Sequence, residues 1–308
     1  QIPLPFEGPT VKQSITSIAV VGDGHGFAVG QGGGIITTAD GGQTWELANG
    51  GYPMWSSIAF ESDEVGYASG GIGFFRTTDG GSNWSFLRGT ETLPVLWMDG
   101  SSNGIFAAGY RNTVHLIEPG STDIDTVTLP VSFVMLLHIG QSDERFYIAG
   151  WSSYPERANL FLQSYDRGQH WDVHRIDDGQ APVIAIDCID DVLLAPTASR
   201  LMVSTDGGSS WTVRHDFAPD LVNAVGFLDE SVGVALLPPT QLVRTSDQGL
   251  TWTTVSEQSS DVYSITNLMV VDSQTIFAYG KEKTSYGRVG ALWRSSDAGL
   301  TWSKEVLP

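Results

Sequence analysis

One cysteine, Cys188, is all the chain contains, so no internal disulfide can brace it. Its segment, DCIDDVLLA, reads as a strand, where a buried and unreactive thiol is the expected state. Basic residues are scarce as well: 16 Lys and Arg stand against 35 Asp and Glu, a net charge of −19. That deficit argues against a nucleic-acid partner, whose phosphates need a basic footprint, and against docking on anionic lipid. It favours a soluble monomer. No apolar run reaches the length of a transmembrane helix, so no direct membrane insertion is expected. The opening, QIPLPFEGPT, lacks an initiator Met and a charged leader, as in a chain whose export signal has been removed or one that has been trimmed. An exported location (periplasmic, cell-surface or extracellular) is the expectation.

Catalytic signatures are missing too. There is no Gly-x-Ser-x-Gly, no His-Glu-x-x-His and no Gly-Lys-Ser/Thr phosphate loop. The six histidines are scattered, and His170 and His174 on an extended strand lie too far apart to share a metal. GDGHG at 22–26 is followed by no helix that could present a dinucleotide site. No cofactor and no metal are expected.

What is plentiful is glycine, 36 residues, and tryptophan, 10, in a chain that is 41% hydrophobic and only 17% charged. With the β-branched residues, this composition implies many short strands joined by tight turns. At 308 residues the chain exceeds the usual single core, so it holds either two domains or one domain made by repetition.

Repetition is visible. TADGGQTW, TTDGGSNW, SYDRGQHW, STDGGSSW, TSDQGLTW and SSDAGLTW share the frame Ser/Thr-x-Asp-x-Gly-x-x-Trp. The aspartates are Asp40, Asp79, Asp166, Asp206, Asp247 and Asp297; the tryptophans are Trp45, Trp84, Trp171, Trp211, Trp252 and Trp302. Successive aspartates are separated by 39, 87, 40, 41 and 50 residues. The interval of 87 holds two ordinary periods, so a unit with a worn copy, HLIEPGSTDIDTV at 115–127, lies between Asp79 and Asp166. Seven units result. Each reads as four strands with the repeated turn between the third and fourth, which is the pattern of a propeller blade. The expectation is an all-β, seven-bladed propeller of four-stranded antiparallel blades. A lead of residues 1–13 precedes blades at about 14–50, 54–90, 93–130, 131–177, 181–217, 220–257 and 260–308.

The repeated turn has a structural meaning. Its Asp accepts hydrogen bonds from its own turn, and its Ser/Thr hydroxyl adds a local bond. The Gly two residues on supplies a left-handed position, and the Trp buries its ring beside a neighbouring sheet. One carboxylate per turn is too few for calcium.

These turns resemble the Asp-box, or bacterial neuraminidase, repeat. The longer phrases GFAVGQGGGIITTADGGQTW, GYASGGIGFFRTTDGGSNW and GVALLPPTQLVRTSDQGLTW are similar to the photosystem II assembly and stability factor family of propellers. The resemblance implies a non-catalytic propeller that binds a protein partner through an arginine-lined surface.

The loops joining second to third strands lie on the face where propellers usually bind. They carry Arg111, Arg157, Arg200, Arg288, Lys281 and Lys283, with Tyr110, Trp151, Tyr154 and Tyr286. Six of the chain's 16 basic residues thus fall in one set of loops beside aromatics, a pattern suited to carboxylates or an acidic peptide. Trp55, Trp97, Asn223 and Tyr263 stand at the entrances of the inner strands, where Trp55 and Trp97 serve either a partner or inter-blade packing. Arg76, Arg244 and Arg294, each three residues before a turn aspartate, read as scaffold.

The alternative is a carbohydrate-active protein, either a glycan binder or a glycoside hydrolase. A sialidase needs converging arginines, and the inner-strand segments contain none. A two-carboxylate glycosidase would have to draw on Asp99 and Asp187, the acids on inner strands.

Overall fold

The computed structural model describes residues 14–308 except 23, 51–53, 72, 89–94, 96, 109–111, 134, 143–144, 153–156, 178–180, 190–191, 239–240, 258–261 and 285–286. The side chains of 49–50, 88, 137, 142, 256–257, 262–264, 266, 283–284 and 287–288 also lie outside the description.

Among the described residues there are 28 strands and no helix. They form seven four-stranded sheets, each a meander in which chain neighbours pair antiparallel. The sheets occupy residues 15–50, 55–88, 97–128, 135–177, 187–216, 224–257 and 262–304, here blades 1 to 7. The first strands are Ile15–Val21, Trp55–Phe60, Trp97–Ser101, Met135–Ser142, Asp187–Ile189, Ala224–Phe227 and Val262–Val270. Side chains on these strands bond to the next blade's first strand, as Thr16 Oγ1 does to the Trp55 carbonyl at 3.0 Å, so they line the axis.

A single blade buries neither of its faces, and the core is therefore divided among the seams. Seven buried clusters are present among the described residues, one for each pair of adjacent blades. The cluster joining blade 7 to blade 1 contains Phe277, Tyr279 and Leu292 together with Ile15, Ile18, Ala28 and Ile36. That contact closes the ring.

Six seams contain the tryptophan of a repeated turn, always the turn of the blade that follows. Trp45 packs at seam 7–1, Trp84 at 1–2, Trp171 at 3–4, Trp211 at 4–5, Trp252 at 5–6 and Trp302 at 6–7. Each indole N–H donates to the carbonyl of the glycine three residues earlier, at 3.1 Å for Trp45 and 3.0 Å for Trp84. In the first turn, Asp40 Oδ1 accepts the Thr38 hydroxyl at 2.8 Å and the Thr44 N–H at 2.9 Å, while Oδ2 accepts the Thr44 hydroxyl at 2.6 Å. Thr38 Oγ1 in turn accepts the Gly42 N–H at 2.9 Å. The Thr44 and Thr38 bonds hold the Asp40 carboxyl down to about 2. The sequence reading placed one left-handed residue in each turn; the structure has two. The residue after the aspartate is left-handed as well, even where it is Arg167 (φ 57°), Gln248 (φ 64°) or Ala298 (φ 55°).

Seam 2–3 lacks a tryptophan because blade 3 carries the worn turn. Polar contacts take its place: the Tyr67 hydroxyl donates to the Ser121 carbonyl at 2.9 Å, and Arg76 Nε donates to the Tyr67 oxygen at 3.1 Å. The Gly120 N–H donates to Glu61 at 2.9 Å across the same seam.

In four of the six turns the residue just before the Ser/Thr, namely Arg76, Gln163, Arg244 or Arg294, reaches toward the next blade. Gln163 donates to the Gly207 carbonyl at 3.0 Å, and Arg244 to the Ala298 carbonyl at 2.8 Å. Arg294 packs beside Gly41 and Gly42 across seam 7–1, with its buried Nε left without a hydrogen-bond partner. These arginines are clasps between blades, a more specific role than the strand-end scaffold read from the sequence.

Candidate functional site

Antiparallel pairing puts the start of each first strand beside the end of the second, so the inner-strand entrances and the second-to-third-strand loops share one face. In blade 4, Met135 sits opposite Trp151, the penultimate residue of the second strand Arg145–Ser152. Arg157 follows in the loop and is exposed, with its guanidinium 5.5 Å from the centre of the Trp151 ring. Met135 is 49% exposed. A flat aromatic, a cation held over it and a flexible apolar side chain therefore adjoin one another at the channel mouth. A cation over an indole keeps its charge while one face of the guanidinium is shielded, which suits it to a carboxylate.

Blade 5 adds Arg200, the exposed first residue of the third strand Arg200–Ser204. Its Nε lies 3.7 Å from Asp216, a surface pair with each side chain about half exposed, so little of its charge is committed. Two further entrances present apolar side chains: Met54 before the first strand of blade 2, 52% exposed, and Leu221 before that of blade 6, 56% exposed. Sequence reasoning passed over Met54, Met135 and Leu221. Met54 and Leu221 precede their inner strands and Met135 opens its own, so all three stand at the entrance end.

Trp55 is 2% exposed, donates its N–H to the Gly33 carbonyl at 3.0 Å and meets Phe75 edge-on at 4.9 Å. No part of that ring is offered to a partner. Trp97 is half-buried against the cluster of seam 3–4. Arg111, Tyr154 and Tyr286 lie outside the described residues, as does the side chain of Arg288. Lys281 is half-buried near the end of the second strand of blade 7.

The inner-strand acids are engaged in bonds between blades. Asp99 Oδ2 accepts the Gln141 N–H at 2.7 Å, and Asp187 Oδ2 accepts the Phe227 N–H at 3.0 Å. They stand on blades 3 and 5 with blade 4 between them. Beside them, Arg145 approaches the ring of Tyr147 to 5.9 Å and touches Cys188 Sγ. Cys188 is half-buried rather than fully buried as expected: it packs against the cluster of seam 4–5 and its sulfur meets the Arg145 guanidinium. Among the described residues, no group of three or more His, Cys, Asp or Glu could hold a metal ion.

Comparison with known proteins gives the fold its relatives. The family model described as photosynthesis system II assembly factor YCF48 matches residues 7–118, about a third of the chain. A solved structure of YCF48 bound to a D1 peptide is 15% identical, with a TM-score of 0.71 over 94% of each chain. YCF48 from Cyanidioschyzon merolae is 19% identical, with a TM-score of 0.69 over 96% of this chain and 98% of that one. The GH74 enzyme of Niastella koreensis is 15% identical at a TM-score of 0.50, over 96% of this chain and 55% of that one. No curated protein matches. The chain is thus a seven-bladed propeller that resembles the photosystem II assembly factor family.

Proposed function

From that resemblance and the channel-mouth geometry, we propose that the chain is a non-catalytic binding scaffold. It holds an extended, carboxylate-bearing segment of a protein partner against the face carrying the second-to-third-strand loops. The observation that carries this reading is the exposed Arg157 guanidinium held over the Trp151 ring beside Met135. Arg and Trp dominate binding hot spots, and flexible methionines adapt to varied side chains. On a chain of net charge −19, such a basic-aromatic spot selects an acidic segment by contrast with its surroundings. The bound peptide in one YCF48 structure supports a peptide as the first probe. Action outside the cytoplasm, as a single ring, belongs to the same reading.

The test is a binding titration with the D1 peptide and a panel of acidic peptides. Arg157→Ala combined with Trp151→Ala should weaken binding at least tenfold, a loss of about 1.4 kcal/mol or more. The melting temperature of that double variant should stay within about two degrees, since surface changes cost little. Binding that is unchanged in the variant removes the proposal.

Trp151 also favours a second reading, because its ring can stack on a sugar. Turnover of chromogenic glycosides, or glycan binding that survives loss of Arg157 but not of Trp151, would select it.

A further inference from the structure

The first strands are stitched to one another around the channel, and the stitches differ in chemistry. Across seam 1–2, Ser17 Oγ accepts the Ile58 N–H at 3.3 Å; across seam 2–3, Ser57 Oγ accepts the Met98 N–H at 3.0 Å. Across seam 6–7, Asn223 donates its side-chain amide to the Ile265 carbonyl at 3.3 Å. None of these three side chains ionises. At seams 3–4 and 5–6 the equivalent acceptors are the carboxyls of Asp99 and Asp187.

Those two seams bracket blades 4 and 5, which carry Trp151, Arg157 and Arg200. We propose that Asp99 and Asp187 are a pair of proton-sensitive joints, so that loss of their protons loosens seams 3–4 and 5–6 and unsettles the binding surface between them. The last step rests on the binding role proposed above; the joints themselves do not.

Burial pushes Asp99 up to about 6 and Asp187 to about 7. Gln141 N–H and Gly100 N–H bond to Asp99, and Phe227 N–H to Asp187, without offsetting that burial. The other titratable or charged groups at these joints, among the described residues, are His138, Arg145, Tyr147 and Cys188. His138 stacks on Tyr147 at 6.4 Å and is itself driven down to about 4 by burial. Tyr147 feels the charges of Asp99 and Asp187 and is raised, chiefly by burial. Arg145 is the lone permanent cation of the group. Gln141 Oε1, at the same joint as Asp99, is buried without a donor, so that joint already has more acceptors than hydrogens.

A closed joint keeps its proton, whereas an opened one exposes the carboxyl to water and to its ordinary value of 3.8. Opening is therefore favoured as pH rises from the ordinary carboxylate range to about 6 at Asp99 and about 7 at Asp187, by at most about tenfold per pH unit, and levels off above. Hydrogen exchange on the full chain reads this directly. Corrected for intrinsic rates, the Gln141 and Phe227 amides should lose protection with rising pH and then plateau. The Ile58 and Met98 amides, which face serines, should hold constant.

Asp99→Ser and Asp187→Ser, copying blades 1 and 2, should flatten the profiles. Asp99→Asn and Asp187→Asn do the same where serine leaves a void. One profile shared by all four amides, or a pH dependence that survives these substitutions, overturns the joints. If the joints respond and no peptide binds at any pH, the binding role fails alone. If peptide binds equally at all pH values while the joints respond, the coupling is wrong.

Discussion

Gly41 and Gly42 share a backbone handedness and differ in why they are glycine. Gly41 has φ 69°, and its equivalent in blade 7 is Ala298 at φ 55°, so a side chain fits there at the cost of a strained backbone. A Cβ on Gly42 would lie 2.4 Å from Phe277 Cζ of the preceding blade. Gly41→Ala should therefore cost about 1–2 kcal/mol in chemical denaturation. Gly42→Ala should cost about 3 kcal/mol or more, adding overpacking to the same strain. Equal losses would mean that close approach plays no part. The glycine at the second position was legible because it recurs in all six turns. The first position was not, since Arg167, Gln248 and Ala298 hide a left-handed site behind side chains that ordinarily avoid it. Trp151 and Arg157 were legible as a loop pair, whereas Met135 was not, because only strand register sets it beside them.

The repeated turn fastens its blade to the one before it. The tryptophan supplies the apolar contact, Trp211 at seam 4–5 and Trp302 at seam 6–7, and Gln163 or Arg244 returns a hydrogen bond from the other side. Gln163 is 6% exposed, and removing its amide leaves the half-buried Gly207 carbonyl without that bond and the Tyr165 hydroxyl without its acceptor. Gln163→Ala should cost about 1–3 kcal/mol. Trp45→Ala, at a side chain only 6% exposed, should cost about 3–5 kcal/mol. Thermal melts of the two variants rank the polar and apolar halves of the fastening. The sequence revealed the turn and its spacing, and the double interval of 87 exposed the worn copy in blade 3. It did not reveal the clasps, since a residue before Ser or Thr meets its partner only once blades are placed side by side.

For the whole molecule, the half-buried acids of the inner strands set how stability depends on pH. Asp99 and Asp187 hold protons in the folded chain that the unfolded chain has already released above about pH 4. Their contribution is complete below the ordinary carboxylate value and is lost as pH rises through about 6 and about 7. His138, lowered to about 4, acts in the opposite sense: its contribution is present above the ordinary 6.5 and lost as pH falls toward 4. Two groups outweigh one, so the melting temperature should fall as pH rises from about 5 to 7. In the Asp99→Asn, Asp187→Asn double variant the slope should reverse, since His138 then outweighs Glu305, whose carboxyl is also raised by burial. A melting temperature that climbs with pH in the parent chain contradicts this assignment. Seven blades were countable from the sequence because the repeat carries the count. The inner acids were visible too, but their amide partners lie one blade away in a register that no single strand encodes.

Each described sheet is drawn from one uninterrupted run of sequence, and blade 7 meets blade 1 through side chains packed at a seam like the others. The circle therefore has no privileged link. A permuted gene that joins the present ends through a flexible linker and opens the backbone at the 218–220 connection would leave every ladder whole. Such a permutant should close and melt much as the parent does.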